Sequence, residues 1–374
     1  MRMKLEHPLA ITMWDFSWLE RKWPGAGYED WDKVLDELKE RGYDAVRIDA
    51  YPHLMSVDSE RVWTLKPEWS VQDWGAPSLT SISKLRENFV GFIRACKAKG
   101  VLVALSTWFR EDEDNHRMNV KSAKDLAEMW ISVLNIIEEE NLIDTILYVD
   151  LCNEFPISCW CPWLAQTVGK EPDEEVFRAS PEVTDFMKQS IEAVRASHPQ
   201  YDYCFSVCSE FDTVEKQDVT FMDVLEPHIW MAQWSEFYQE VGYNYERFSS
   251  AGYDNMVLHA EKLYRSKPEY WHERMYKGID AAASWSELSG KALATTECWG
   301  IVDYKDWPLL NWDWIIELCE LGVKRAASTG RWFAIATSNF CGPQFNGMWR
   351  EVEWHKRMTD VIHHAKLPNL SDER

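Results

Sequence analysis

The sequence has no apolar stretch long enough to span a membrane, and its basic residues are outnumbered by acidic ones. It carries 40 Lys and Arg against 62 Asp and Glu, for a formal net charge of −22. Because nucleic acids and anionic membrane surfaces are bound through basic patches, we expect neither a nucleic acid nor a membrane as partner. The N-terminal segment MRMKLEHPLAITMW lacks the apolar core of a signal peptide, which predicts a cytoplasmic protein.

Repeats, low-complexity tracts and linker-like composition breaks are also missing. The chain has 374 residues, of which 46% are hydrophobic. Because α/β barrels with insertions reach this size as one unit, the sequence predicts a single domain over residues 1–374. Nothing in the sequence indicates an oligomeric state.

A regular disulfide framework is absent as well. The nine cysteines are odd in number and irregular in spacing, so thiols are expected rather than disulfides. Cys152, Cys159 and Cys161 lie close together, but C-x-C without a second spaced pair is a weak metal signal. The sequence also shows no clear cluster of His, Asp and Glu at several strand ends. We therefore expect no metal and no organic cofactor.

Strand-like and helix-like segments alternate from one end of the chain to the other. Helical patterns cover residues 29–41, 82–99, 123–140, 181–197, 268–288 and 312–321. Strand-like runs cover residues 10–18, 43–50, 101–108, 201–208, 224–230 and 331–339, and two further runs end at Glu154 and Glu297. Eight strands with intervening helices predict a (β/α)8 barrel of the TIM type.

The connections differ in length according to their direction. Links from a helix to the next strand are short, whereas those from a strand to the next helix are long, at residues 52–81, 156–179 and 231–267. A barrel builds its active site from the strand-to-helix loops, and long loops are usually functional. The asymmetry predicts a site at the carboxyl ends of the strands.

Two glutamates, Glu154 and Glu297, end apolar β-branched runs (TILYVDLCNE and KALATTE). All strands of such a barrel end on one face, so residues far apart in sequence converge there. Two carboxylates facing each other across a cleft are what retaining glycoside hydrolysis requires.

Arg47 and His228 are two further polar residues within predicted strands. Arg47 lies in the second strand, where a buried charge needs a partner or a function, and a core ion pair with Asp49 or Asp15 is the structural alternative. His228 lies near the end of the sixth strand, where it could equally be a hydrogen-bonded polar residue with no chemical role.

Taken together, these positions resemble clan A glycoside hydrolases, and most nearly the cellulase-like group around family 5. The resemblance extends over the barrel in order and spacing. It implies that Glu154 is the general acid/base and Glu297 the nucleophile. It further implies that Asn153 holds the substrate 2-hydroxyl and that Arg47 hydrogen-bonds the nucleophile.

Three positions depart from that family. The sixth strand reads His228-Ile229-Trp230 where the family has His-x-Tyr. Thr107-Trp108 replaces a histidine at the third strand, and Asn339-Phe340 replaces a tryptophan at the eighth. In that family the tyrosine touches the nucleophile and the other positions belong to sugar recognition, so the resemblance implies the chemistry but not cellulase specificity.

The chain has 22 tryptophans, many of them in the predicted strand-to-helix loops. Indoles can stack on the C–H faces of sugar rings, and the alternative is that they fill small loop cores. Candidate sugar-binding residues are Trp63, Trp69, Trp74, Trp160, Trp163, Trp230, Trp234 and Trp299, with Trp160 and Trp163 foremost because they follow Glu154 most closely. Tryptophans within helices are expected to pack only: Trp31, Trp130, Trp271, Trp285 and Trp314.

The predicted function is that of a retaining β-glycosidase for a β-linked oligosaccharide or small glycoside. Two close acids cannot both ionise easily, so Arg47 is expected to keep Glu297 anionic while Glu154 stays protonated. One alternative is an inactive carbohydrate-binding barrel. The other is an unrelated barrel lyase or isomerase that uses one of three other acids: Asp49, Glu210 or Asp303.

Overall fold

The computed structural model describes residues 3–67, 79–172, 174–232, 236–243, 250–302, 304 and 309–368. Eight parallel strands form a nearly closed barrel surrounded by helices, which confirms the predicted (β/α)8 fold. The barrel strands are β1 (Leu9–Thr12), β2 (Ala45–Asp49), β5 (Leu102–Ser106), β6 (Ile146–Asp150), β7 (Tyr203–Cys204), β8 (Val224–Leu225), β10 (Ala292–Thr295) and β12 (Trp332–Ala336). Short strands outside it are β3 (Trp63–Leu65), β4 (Thr80–Ile82), β9 (Ile229–Trp230) and β11 (Cys298–Trp299).

Neighbouring barrel strands pair in the order β7-β6-β5-β2-β1-β12-β10-β8. A parallel bridge between Val207 and Pro227 connects the two ends of this order, just beyond β7 and β8. Every residue of β1, β2, β6, β10 and β12 is buried. Continuous burial explains why these strands read as apolar runs, since a parallel barrel is covered on both faces.

The helices lie around the barrel and in its loops. They are α1 (Ser17–Glu20), α2 (Trp31–Glu40), α3 (Pro52–Asp58), α4 (Leu85–Lys99), α5 (Ala123–Glu139), α6 (Leu164–Thr167), α7 (Pro181–Ser197), α8 (Glu236–Val241), α9 (Ser250–Asn255), α10 (Glu261–Ser266), α11 (Pro268–Ser289), α12 (Asp313–Thr329), α13 (Asn346–Trp349) and α14 (Val352–His363). A π-helical turn, Met256–Ala260, joins α9 to α10.

Local sequence signals set several helix ends. Asp30 caps α2 by accepting a hydrogen bond from the Lys33 amide at 3.1 Å, and Ser122 caps α5 in the same way. Gly42, just past α2, has φ of +85° and lies against Thr359 of α14, where a Cβ would come within 2.4 Å of the threonine hydroxyl. Glycine is required there for both conformation and space.

Two predicted strands are shorter than expected. The first ends at Thr12, because Trp14 turns into the left-handed region (φ 88°) and α1 follows. The sixth breaks between β8 and β9, where Pro227 has no amide hydrogen for a ladder and Glu226 turns toward Arg47. The short strand β9 then pairs with β11 instead of continuing in the barrel.

The long connections contain structure that the sequence analysis did not predict. Residues 52–81 include α3 and the antiparallel pair β3–β4, and residues 231–267 include α8, α9 and α10. No disulfide joins any of the nine cysteines, all of which lie in the described ranges. Among the helices of the described part of the chain, none has the length and apolar character needed to cross a membrane.

Candidate active site

Five predicted site residues converge at the carboxyl ends of the barrel strands. Arg47 lies in β2, Asn153 and Glu154 follow β6, His228 lies between β8 and β9, and Glu297 lies between β10 and β11. Glu154 adopts a left-handed backbone conformation with φ of 48°, uncommon outside glycine and frequent at functional turns.

The fully buried guanidinium of Arg47 contacts both sides of this cluster. Nη2 donates to Glu297 Oε1 at 2.5 Å and to Asn153 Oδ1 at 3.0 Å. Nε donates to Asp15 Oδ1 at 3.0 Å, and Nη1 donates to Glu226 Oε1 at 3.0 Å. Burial alone would lower the pKa of Arg47, but its carboxylate partners raise it well above the ordinary value. Arg47 thus forms the core ion pair with Asp15 and also holds Glu297.

His228 connects the two candidate catalytic acids. Its Nδ1 lies 3.0 Å from Glu154 Oε1 and 3.6 Å from Glu297 Oε1. On the other side of the ring, Nε2 lies 3.1 Å from Arg47 Nη1. Glu226 Oε1 lies 3.6 Å from His228 Nε2 and 3.0 Å from Arg47 Nη1. Burial lowers the pKa of His228, but the neighbouring carboxylates outweigh it and raise the pKa to about 10. Nδ1 of the ring faces the carboxylate of Glu154 and donates to it.

Glu154, His228 and Glu297 each place one donor or acceptor atom within 4.8 Å of the others. Burial and the charge of Glu154 raise the pKa of Glu297 to about 7, although His228 and Arg47 oppose this. Burial also raises the pKa of Glu154, but His228 and Trp160 outweigh it, so its pKa lies below the ordinary value. One proton near neutral pH is therefore held by the pair.

The contacts of Glu154 favour its ionised form, whereas the sequence analysis expects Glu154 to carry the proton. Arg47 was expected to keep Glu297 anionic, but its charge is shared with two further carboxylates, Asp15 and Glu226. Glu154, in contrast, accepts hydrogen bonds from two donors, His228 and the indole Nε1 of Trp160 at 3.1 Å. These donors favour the ionised form of Glu154.

Asn153 is buried and positioned by both its backbone and its side chain. Its backbone amide donates to Thr107 O at 2.9 Å, and its Oδ1 accepts from Arg47. Within the described residues, Nδ2 of Asn153 has no hydrogen-bond partner. A buried amide donor with no protein acceptor is suited to a ligand hydroxyl.

The two tryptophans beside Glu154 are both nearly buried. Trp163 is only 1% exposed and packs edge-on against Phe109, at 5.6 Å between ring centroids, so neither ring face is available to a sugar. Trp160 is 4% exposed, and its ring centroid lies 4.7 Å from that of Trp108. Its indole Nε1 donates to Glu154. Its stacking on a sugar stays a prediction, and the contact that the structure shows is with the acid.

The other six tryptophans that were predicted to bind sugar are either buried or outside the described residues. Trp299 is fully buried, donates to Ala336 O at 2.9 Å and packs so closely on Gly322 that a Cβ there would lie 2.4 Å from the ring, so it is a packing residue. Trp63 is also fully buried, and Trp230 is 4% exposed. Three candidates lie outside the described residues: Trp69, Trp74 and Trp234.

Asp15 and Glu226 belong to the site, but sequence reasoning assigned neither a role there. Glu226 Oε1 accepts from Arg47 and from Thr296 Oγ1 at 2.5 Å, and Asp15 Oδ2 accepts from Trp108 Nε1 at 2.6 Å. Burial raises the pKa of Glu226, but Arg47 and His228 outweigh it and lower the pKa to about 2. The signal in the sequence was an acid two residues before His228 in an apolar strand.

The acids of the alternative lyase or isomerase reading are engaged elsewhere. Asp49 accepts the backbone amides of Tyr51 and Trp108 at 2.7 and 2.9 Å, and burial raises its pKa to about 7. Glu210 Oε1 accepts a backbone amide at 2.8 Å. Asp303 lies outside the described residues.

Comparisons with known proteins agree with the barrel fold. The family model of sugar-binding cellulase-like proteins matches residues 11–363. A crystal structure of a candidate glycoside hydrolase from Parabacteroides distasonis is 49% identical, with a TM-score of 0.91, over 96% of this chain and 95% of that one. None of the curated proteins matches the chain.

More distant structures share the fold alone. An endo-β-1,4-mannanase from Thermotoga petrophila has a TM-score of 0.53 at 11% identity, covering 97% of this chain and 78% of that one. A family 5 mannosidase from Rhizomucor miehei has a TM-score of 0.52 at 9% identity, covering 95% and 93%.

Proposed function

The chain belongs to the family of sugar-binding cellulase-like proteins, and from that premise we propose that it is a retaining β-glycosidase acting on a β-linked oligosaccharide or small glycoside. Its cellulase-like glycoside hydrolase fold supports hydrolysis of glycosidic bonds. The observation that carries the finer proposal is the close approach of Glu154 and Glu297, with one oxygen of each within 4.8 Å. Retaining enzymes place their two carboxyl groups about 5–5.5 Å apart, whereas inverting enzymes leave room for a water molecule.

In the first step, Glu297 attacks the anomeric carbon and Glu154 gives its proton to the glycosidic oxygen, which leaves as an alcohol. In the second step, Glu154 takes a proton from a water molecule, which attacks the same carbon and releases Glu297. Each step inverts the configuration, so the sugar leaves with its original one. The proton account balances, because Glu154 regains from water the proton that it gave to the leaving group.

The proton shared by the acids must reside on Glu154 when substrate is bound. A glycosidic oxygen accepts a hydrogen bond from protonated Glu154, and Arg47 stabilises the Glu297 anion at 2.5 Å. Substrate binding therefore shifts the shared proton from Glu297 to Glu154, against the preference of the ligand-free site. His228 holds the Glu154 carboxyl in place for both steps.

Substrate orientation falls to Asn153, whose Nδ2 donor is directed to the sugar 2-hydroxyl in this proposal. Arg47 fixes the other end of the amide by donating to Oδ1, so the amide cannot flip without breaking that bond. The same guanidinium positions Asn153 and Glu297, which couples sugar binding to the orientation of the nucleophile.

A screen of nitrophenyl β-glycosides tests the proposal, with Glu297→Ala as the matched control. Turnover of at least one glycoside by the native chain, lost in the variant, is the expected result. The second candidate is a sugar-binding barrel without activity, favoured by the presence of Trp230 where the related enzymes have a tyrosine beside the nucleophile. Saturable sugar binding without turnover across the screen would support that candidate and overturn the first.

A further inference from the structure

Three potential metal ligands lie together at the end of the barrel opposite the candidate active site. His7 comes just before β1, Asp44 directly before β2, and His363 is the last residue of α14. One donor atom from each lies within 4.8 Å of the others, and all three residues are partly buried. We propose that His7, Asp44 and His363 form a site for a divalent transition metal, with Zn²⁺ as the fitting ion.

The donor atoms of the two imidazoles and the carboxylate lie within 4.8 Å of one another. His363 Nε2 lies 2.7 Å from Asp44 Oδ2, and the ring centroids of His7 and His363 are 4.6 Å apart at an interplanar angle of 55°. Ligands of a tetrahedral Zn²⁺ with bonds of about 2.0 Å lie about 3.3 Å from one another. Metal binding would therefore require the side chains of the two partly exposed histidines to rotate.

Backbone groups already orient two of the ligands. Nδ1 of His7 lies 2.8 Å from the carbonyl oxygen of Pro8, which only accepts, so Nδ1 carries the hydrogen and Nε2 keeps its lone pair. Histidines that bind metals commonly donate their other ring N–H to such an acceptor. The amide of Ala10 donates to Asp44 Oδ2 at 2.8 Å, which holds the carboxylate toward the cluster.

When the ion binds, it takes the place of the hydrogen that lies between His363 Nε2 and Asp44, and the imidazole changes to its other neutral tautomer. In the metal-free chain Nε2 of His363 donates to Asp44, and in the bound form the metal occupies that position while Nδ1 carries the hydrogen. Two imidazoles and one carboxylate suit Zn²⁺, whereas Mg²⁺ and Ca²⁺ prefer oxygen ligands. Water completes the coordination. The net charge of −22 also favours cation binding.

Two other groups of His, Asp and Glu lie within similar distances in the described residues. One is the candidate active site itself, Glu154, His228 and Glu297. The other is a loop after β5 in which Asp112 already accepts from the amides of Asp114 and His116 and from the His116 ring. The site at His7 differs because it joins three separate segments, the approach to β1, the start of β2 and the end of α14. A bound ion would therefore link the first strand of the described barrel, β1, to its last helix, α14.

The test is calorimetric titration of Zn²⁺ into chelator-treated protein carrying no affinity histidines, with thermal denaturation in parallel. The native chain is expected to bind one equivalent at this site and to unfold at a higher Tm with the ion. His7→Gln and His363→Gln should each lose this equivalent and the Zn²⁺-dependent Tm shift.

Two control variants make the result specific. His364→Gln changes the next residue, whose side chain is 78% exposed, and His116→Gln removes the competing loop ligand. Both are expected to keep the equivalent and the Tm shift. The proposal is overturned if the native chain binds no Zn²⁺, if His363→Gln keeps the equivalent, or if either control loses it. The outcome is independent of glycosidase activity, which lies at the opposite end of the barrel.

Discussion

Glu226 Oε1 accepts a hydrogen bond from Arg47 Nη1 at 3.0 Å within the barrel. The opposite nitrogen of the same guanidinium, Nη2, holds Glu297. Glu226 also lies 3.6 Å from His228 Nε2, and His228 contacts Glu154. One buried carboxylate therefore positions the partner of each acid.

Replacing Glu226 by glutamine is predicted to shift the pH profile. Loss of this negative charge strengthens the effect of Arg47 and His228 on the acid pair, so the pair should release its proton at a lower pH. The basic limb of kcat/KM is expected to move to lower pH, with a loss of activity smaller than the about 100-fold of a direct contact. A Glu269→Gln variant on the exposed surface of α11 serves as control. If the basic limb does not move, Glu226 has no influence on the protonation of the acid pair.

Arg47→Lys keeps a positive charge but loses the planar fork that contacts Glu297, Asn153 and Asp15 at once. We expect kcat/KM to fall by about 100-fold, the scale of one lost preorganised contact. Circular dichroism and thermal denaturation measure the fold in the same samples. Full activity with a lowered Tm would assign Arg47 to structure alone.

Trp160→Phe keeps an aromatic ring against Trp108 but removes the indole donor to Glu154. Because that donor lowers the pKa of Glu154 in the ligand-free site, the acidic limb of kcat/KM should move to higher pH in the variant. Trp163→Phe is the matched control, since Trp163 is buried in the core and packs against Phe109. The control is expected to lower Tm without moving the limb, and equal shifts in both variants would contradict the assigned contact.

The pH dependence of native activity follows from the shared proton of the acid pair. The pKa of Glu297 is raised to about 7, so the pair holds its proton below that pH and loses it above. Hydrolysis of glycosides with poor leaving groups should therefore decline as pH rises through about 7. A dinitrophenyl leaving group departs without a proton, so its basic limb should be weaker. Identical limbs for both substrates would contradict proton donation by Glu154.

The strand ends were the part of the site that sequence could predict. Arg47, Asn153, Glu154, His228 and Glu297 each interrupt or end an apolar run, and the geometry of a barrel brings such positions to one face. The mutual contacts follow from that convergence. The eight barrel strands and the large helices between them were likewise readable from the alternation of patterns, whereas the short elements of the long loops were not.

The tryptophan roles could not be read in the same way. Whether an indole is a sugar platform or a packing residue depends on tertiary neighbours, as Phe109 beside Trp163 and Gly322 beside Trp299 demonstrate. The protonation of Glu154 was also beyond the sequence, because it depends on a donor, Trp160, from the following loop. The helix α14, which supplies His363, was not predicted from the sequence.

The central claim is that Glu297 is the nucleophile of a double displacement in which Glu154 is the acid/base. The most direct test incubates the protein with a 2-deoxy-2-fluoro glycoside of a sugar found active in the screen, followed by intact mass and peptide mapping. The account predicts one added glycosyl unit, located on the peptide that contains Glu297 and absent in Glu297→Ala. A label on Glu154, or turnover with inverted configuration and no covalent adduct, would contradict it.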